Sequence, residues 1–194
     1  MYNNPKNSVL LNYINSYNLI MTTEELIISF VRIFASLVVF KSNFFGAFFV
    51  ILIDFSDLFM MNLLSLGGVR NYQALDKFLD LFYLFFFFLI AIRWNSTLKK
   101  ISVFLFTFRI FGFLLFEILE ERFILFLFPN IFEFWFIGIA FLNQFKIKVT
   151  KNKIIIVLIF SLGLKFIQEY ILHVWKILDD YRAVDVLKSF LEYF

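Results

Sequence analysis

The stretch ALDKFLDLFYLFFFFLIAI, residues 74–92, decides the fold. Its three charged residues, Asp76, Lys77 and Asp80, come at the start, and everything after them is apolar apart from the Tyr83 hydroxyl. An α-helix needs roughly 20 apolar residues to cross the hydrocarbon core of a bilayer. Strands of a membrane barrel alternate polar and apolar side chains, and this stretch does not alternate. The stretch is therefore typical of a membrane-spanning helix.

The whole chain has the same character. Its 194 residues are 62% hydrophobic and 17% charged, and 33 of them are Phe. A soluble domain has about 45–50% apolar and about 25% charged residues. A globule of this size has too small an interior to hide so many apolar side chains from water. The composition excludes an ordinary water-soluble globule and a disordered chain.

Six apolar runs divide the chain, and in lipid each must be helical because its backbone hydrogen bonds have to be satisfied internally. We predict an all-α fold, a polytopic integral membrane helix bundle of about six transmembrane helices. The predicted spans are 25–40, 44–64, 74–92, 101–117, 122–142 and 154–176. A polar N-terminal segment, 1–24, precedes this transmembrane helical domain, 25–176, and an amphipathic tail, 177–194, follows it.

Two local signals refine these helices. Thr22 and Glu25 have the spacing of a capping box, which predicts a helix start at this point. Pro129 and Asn130 interrupt the fifth run, which predicts a kink, with Asn130 expected to bond the carbonyl that proline leaves free.

The charges and rare residue types exclude several kinds of site. There is no Cys and one His, so disulfides, thiolate metal sites and multi-histidine clusters are impossible from this chain alone. The net charge of +3 fits basic loops facing anionic headgroups, and no motif indicates nucleic-acid binding. We expect location in a cell membrane or organelle inner membrane. The expected partners are the lipid bilayer, phospholipid headgroups or other membrane subunits.

Four aspartates on the second and third spans form the first candidate site. Asp54 and Asp57 are three residues apart, and Asp76 and Asp80 are four apart, so each pair shares one helix face. The connecting segment is short, which places both pairs toward the same membrane edge. Clustered carboxylates bind Mg²⁺, Mn²⁺ or Ca²⁺. The alternative is a set of headgroup-level carboxylates that pair with nearby cations such as Lys77.

An Asp-x-x-Asp on one membrane helix followed by an Asp-x-x-x-Asp on the next resembles the CDP-alcohol phosphatidyltransferase family. The resemblance covers about residues 22–92, including TTEELIISFVR and NYQALDKFLD. It implies a six-helix transferase of phospholipid synthesis, with Mg²⁺ or Mn²⁺ held by the metal ligands Asp54, Asp57, Asp76 and Asp80. It also implies that Asp80 is the catalytic base. The Gly, Ala and Arg that follow the second aspartate in the family are replaced here by other residues.

Three cations lie well inside predicted spans, away from the span ends, where each costs at least about 2.5 kcal/mol unless it is paired. They are Arg32, Arg109 and Lys165. We predict that these side chains bind phosphate groups or lipid.

The last predicted span carries a polar stripe, since Lys165, Glu169 and His173 recur every four residues. One hypothesis is that the stripe lines a path through a small transporter or channel-like protein. Another is that Lys165 and Glu169 neutralise each other against a neighbouring helix. A third hypothesis for the whole chain is a non-catalytic subunit of a membrane complex, packed through its Phe-rich surface.

Overall fold

The computed structural model describes residues 22–64, 72–119 and 121–170, with side chains described except at 57–64, 72–74, 122 and 169. Every regular element in these ranges is a helix, so the predicted all-α fold is confirmed for this part of the chain. The elements are α1 (Thr23–Ser36), a 3₁₀ turn (Leu37–Phe40), α2 (Asn43–Leu64), α3 (Tyr72–Ala91), α4 (Ser96–Leu119), α5 (Arg122–Leu127), α6 (Ile131–Gln144) and α7 (Lys151–Glu169).

These helices cover the six apolar runs of the sequence. Residues 1–21, the end of the sixth predicted span and the predicted tail 177–194 lie outside the described residues. Two stretches among those described are long and apolar enough to cross a membrane, Ser96–Leu119 and Phe123–Gln144, and Asn43–Ser56 is a shorter apolar helix. The number of membrane crossings stays a prediction.

Side-chain caps begin two of the helices. The Glu25 backbone N–H donates to Thr22 Oγ1 at 3.1 Å, and the Thr22 backbone N–H donates to Glu25 Oε2 at 2.9 Å. This confirms the predicted capping box, which satisfies two N–H groups that a helix start leaves free. Helix α4 is capped by Asn95, whose Oδ1 accepts from the Leu98 backbone N–H at 3.1 Å.

The predicted interruption at Pro129 is confirmed and is a complete break between α5 and α6. Phe128 packs directly on α4 at Gly112, where a side chain would collide with the Phe128 ring. The expected role of Asn130 was wrong, because its amide donates to Glu133 Oε2 at 3.0 Å rather than to a backbone carbonyl. Glu133 lies one turn along α6, so the polar side chains at the break bond each other.

Helix α6 is the centre of the bundle, and it packs against α2, α3, α4 and α7. Its Trp135 and Phe136 are fully buried, and Phe136 stacks on Phe87 of α3 with ring centroids 4.3 Å apart. The buried Trp135 indole donates to Ser102 Oγ at 2.9 Å, which meets its hydrogen-bonding need. Helix α1 packs against both α2 and α3. That position sets the geometry of the candidate site.

Candidate metal centre

Three of the four predicted aspartate ligands meet inside the bundle. Asp54 comes from α2, and Asp76 and Asp80 come from adjacent turns of α3. Their carboxylate oxygens lie within 4.8 Å of one another, and Asp80 is buried. The side chain of Asp57 lies outside the description, so its role as a fourth ligand stays a prediction.

A guanidinium group sits among these carboxylates. Arg32 of α1 is only 4% exposed, and it contacts all three aspartates. Its Nη1 donates to Asp76 Oδ1 at 3.0 Å, and its Nη2 donates to Asp80 Oδ1 at 2.8 Å and also to Asp54 Oδ1. Arg32 reaches this position because α1 packs on both α2 and α3. A buried charge needs such partners, so Arg32 is the internal counter-ion of the cluster.

Lys77 provides the second cation. Its Nζ lies 2.7 Å from Asp76 Oδ2, on the outer side of the cluster. Among the side chains described in contact, three carboxylates therefore face two cations, one more negative than positive charge. We call Arg32, Asp54, Asp76, Lys77 and Asp80 the aspartate cluster.

The aspartate cluster has the donor set of a hard-cation site. Two oxygens on opposite sides of Mg²⁺ lie about 4.2 Å apart, and around the larger Ca²⁺ about 4.6–5.2 Å apart. One carboxylate oxygen from each of Asp54, Asp76 and Asp80 lies within 4.8 Å of the other two, so these three residues could bind a metal ion if Arg32 moved away. The Arg32 guanidinium touches the same oxygens, so a metal ion and Arg32 would compete for them.

A second ionic cluster lies between α6 and α7. Lys165 Nζ is 3.4 Å from Glu133 Oε2 and 3.0 Å from Gln168 Oε1, and Glu133 also accepts from Asn130. Lys165 and Glu133 are buried, at 5% and 4% exposure. The ammonium also lies 5.8 Å from the centre of the Phe134 ring. We call Lys165, Glu133, Asn130 and Gln168 the lysine cluster.

Arg109 on α4 is buried with an incomplete set of partners. Its Nη1 donates to the Phe128 backbone carbonyl at 3.1 Å, while its Nε is buried without a hydrogen-bond partner. No carboxylate in the described ranges lies within salt-bridge distance of it. Asp80 and Lys77 both lie within its electrostatic range. Arg109 therefore keeps unused hydrogen-bond donor capacity inside the bundle.

Tyr83 of α3 is a further buried polar side chain, at 3% exposure, and Asp54, Asp80 and Glu133 all contribute to its electrostatic environment.

The structure brings some predicted site residues together and separates others. Arg32 joins the aspartates instead of standing apart as a phosphate ligand, although binding of phosphate by Arg32 stays a prediction. Lys165 has Glu133 as a partner, which the spacing on its own helix did not reveal. The Glu169 side chain and His173 of the predicted stripe lie outside the description.

Comparison with known proteins gives no match: no family model, no curated protein and no solved structure corresponds to the chain. The resemblance to CDP-alcohol phosphatidyltransferases therefore stays a prediction.

Proposed function

We propose that the chain is a multi-pass integral membrane protein. The supporting observation is its inverted distribution of side chains. Charged residues such as Arg32, Arg109 and Lys165 are buried, whereas Phe104 and Ile118 are 68% and 74% exposed. Large exposed apolar surfaces need an apolar surrounding, and a lipid bilayer supplies one. Recovery of the chain as a monodisperse particle without detergent would refute this part of the proposal.

We further propose that the aspartate cluster binds Mg²⁺ or Mn²⁺ and serves a phosphatidyltransferase-like reaction on a phospholipid precursor. The observation that carries this function is the convergence of Asp54, Asp76 and Asp80 within 4.8 Å. The proposal is also supported by the spacing of the aspartates along the chain, which resembles that of the CDP-alcohol phosphatidyltransferase family. A bound divalent ion would supply charge stabilisation for a diphosphate group.

Arg109, Arg32 and Asp80 have separate roles in the proposed reaction. In this proposal Arg109, whose buried Nε has no hydrogen-bond partner, binds a phosphate oxygen. Arg32 becomes available for a second phosphate contact once it leaves the carboxylates. In the reaction that the resemblance implies, Asp80 accepts the proton of an alcohol while the alcohol oxygen attacks phosphorus. The phosphoanhydride bond breaks, and its oxygen leaves on the nucleoside monophosphate.

Manganese binding tests the cation site directly. Electron paramagnetic resonance of the purified protein in lipid nanodiscs measures bound Mn²⁺ for the wild type, Asp54→Asn and Asp80→Asn. We expect the wild type to bind Mn²⁺ and both variants to bind it at least about tenfold more weakly, a difference of about 1.4 kcal/mol. Glu117→Gln is the control, because it removes one carboxylate charge at an exposed position outside the aspartate cluster.

Two outcomes would refute the function at different levels. Unchanged Mn²⁺ binding in both aspartate variants would remove the metal site. Normal Mn²⁺ binding, with no transfer of the phosphatidyl group from CDP-diacylglycerol to a labelled alcohol, would support the metal site and refute the transferase activity.

Transport is the second candidate function, favoured by the buried ionisable side chains Asp80, Glu133 and Lys165 in the interior of the bundle. Ionisable groups in series within a bundle are typical of proton pathways. Proton flux into proteoliposomes should then fall in Glu133→Gln and Lys165→Met. Flux that is the same in these variants as in the wild type would count against transport.

A further inference from the structure

A second candidate binding site lies where α3 ends and α4 begins. A cleft of about 760 Å³ opens there, and its lining includes Trp94, Ser96, Lys99, Lys100, Val103 and Phe104. Asp76 and Asp80 stand in the first turns of α3, and the twelve residues of rise from Asp80 to Ile92 amount to about 18 Å. The cleft is therefore a separate site from the aspartate cluster.

One end of the cleft is positively charged. Lys99 and Lys100 are both exposed, and in the described ranges neither lies within salt-bridge distance of a carboxylate. The residues lining the cleft include no acidic side chain. Ser96 adds a hydroxyl at the first turn of α4, where the positive end of the helix dipole also favours an anion.

The other end of the cleft is apolar. Val103 and Phe104 lie one turn beyond Lys99 and Lys100 on the same face of α4. The surface of this face therefore changes from basic to apolar along the helix. Phe104 is 68% exposed. Trp94 is fixed beside the cleft by stacking on Phe136, with ring centroids 5.3 Å apart. Tryptophan at such a boundary is typical of the interface between headgroups and hydrocarbon.

We infer that this cleft binds one anionic phospholipid, with its phosphate at Lys99 and Lys100 and an acyl chain along Val103 and Phe104. The inference rests on the proposed membrane location and is independent of the proposed metal site. A free phosphate would satisfy only the lysine end, whereas a phospholipid matches both ends in their order along α4.

Native mass spectrometry of the detergent-solubilised protein tests the site. The probes are phosphatidylglycerol, phosphatidylcholine and glycerol 3-phosphate, added at equal concentration to the full chain. We expect retention of phosphatidylglycerol in preference to the other two. A basic residue near a membrane surface contributes about 1 kcal/mol to anionic lipid binding, so Lys99→Gln with Lys100→Gln should weaken retention about 30-fold.

The matched control is Lys151→Gln with Lys153→Gln, which removes the same charge at the start of α7. Retention unchanged in the control and lost in the Lys99 and Lys100 variant supports the site. Equal losses in the two double variants would overturn it, since general charge would then explain binding. Glycerol 3-phosphate bound as tightly as the lipid, or a Phe104→Ser variant with unchanged retention, would overturn the acyl-chain contact.

The same experiment separates failure of this site from failure of the proposed function. A lipid site that persists in Asp80→Asn, where Mn²⁺ binding is expected to be lost, places the lipid outside the metal centre. Loss of lipid retention in Asp80→Asn to the same extent as in the Lys99 and Lys100 variant would contradict two separate sites.

Discussion

The aspartate cluster and the lysine cluster each compensate a buried cation, but they differ in the number of carboxylates around it. In each cluster a buried cation of one helix, Arg32 or Lys165, contacts acidic side chains of another helix. In the lysine cluster one ammonium faces one described carboxylate, and neutral amides complete the contacts. In the aspartate cluster three carboxylates face Arg32 and Lys77. Among the described side chains, the aspartate cluster therefore has one more carboxylate than cations, whereas Lys165 and Glu133 balance each other.

This difference assigns separate roles to the two clusters. A buried ion pair is sensitive to loss of either partner, because the remaining buried charge then loses an opposite charge. A cluster with several carboxylates tolerates loss of one, since Arg32 keeps the others. The lysine cluster is therefore expected to hold α6 and α7 together, and the aspartate cluster is expected to bind ligands.

Removal of Glu133 should have the largest effect on stability. Glu133→Leu leaves the buried Lys165 ammonium without this carboxylate, and we expect a loss of about 3–5 kcal/mol in the free energy of unfolding. Reversible unfolding in mixed micelles measures this change. The double variant Glu133→Leu with Lys165→Met should recover most of the loss. A single variant as stable as the wild type would show that the pair is not buried as described.

Removal of Asp80 should cost less than removal of Glu133. Asp80→Asn leaves Arg32 with Asp54 and Asp76, so one charge-assisted hydrogen bond is weakened and the expected loss is about 1.5–3 kcal/mol. The same unfolding experiment ranks the two variants. If Asp80→Asn destabilised the protein more than Glu133→Leu, the inferred difference between the clusters would be reversed.

Removal of Gln168 should have the smallest effect. Its amide oxygen accepts from Lys165 Nζ at 3.0 Å, but the side chain is only half-buried, and Glu133 remains as the charged partner. Gln168→Met should cost about 0.5–1.5 kcal/mol in unfolding free energy. A loss close to that of Glu133→Leu would mean that the amide, and not the carboxylate, is the main partner of Lys165.

Helix type and local helix ends could be predicted from the sequence. Continuous apolar runs indicated helices, the Thr22 and Glu25 spacing indicated the cap, and Pro129 indicated the break. Shared faces also followed, because Asp76 and Asp80 are one turn apart on any helix. These features depend on residues close together in the chain.

The short connection between the second and third spans predicted that their aspartates lie close together, but the partners of the buried cations could not be predicted in the same way. Periodicity identifies a polar face but does not specify which neighbouring helix that face meets. Arg32 reaches the aspartates because α1 packs on both α2 and α3, and Lys165 meets Glu133 because α7 packs on α6. The Phe128 carbonyl as partner of Arg109 depends further on the close approach that Gly112 permits. The one sequence signal for Glu133 was an acidic residue inside an apolar helix.

The Mn²⁺ affinity of Arg32→Gln tests most directly whether the Arg32 guanidinium occupies a site that can bind a metal ion. Because the guanidinium contacts the three carboxylates that would bind the metal, its removal should raise Mn²⁺ affinity at least about tenfold, or about 1.4 kcal/mol. Circular dichroism should show unchanged helix content in the Mn²⁺-bound variant. Unchanged or weaker Mn²⁺ binding by a folded Arg32→Gln protein would contradict the competition and leave the aspartate cluster as a structural ion network.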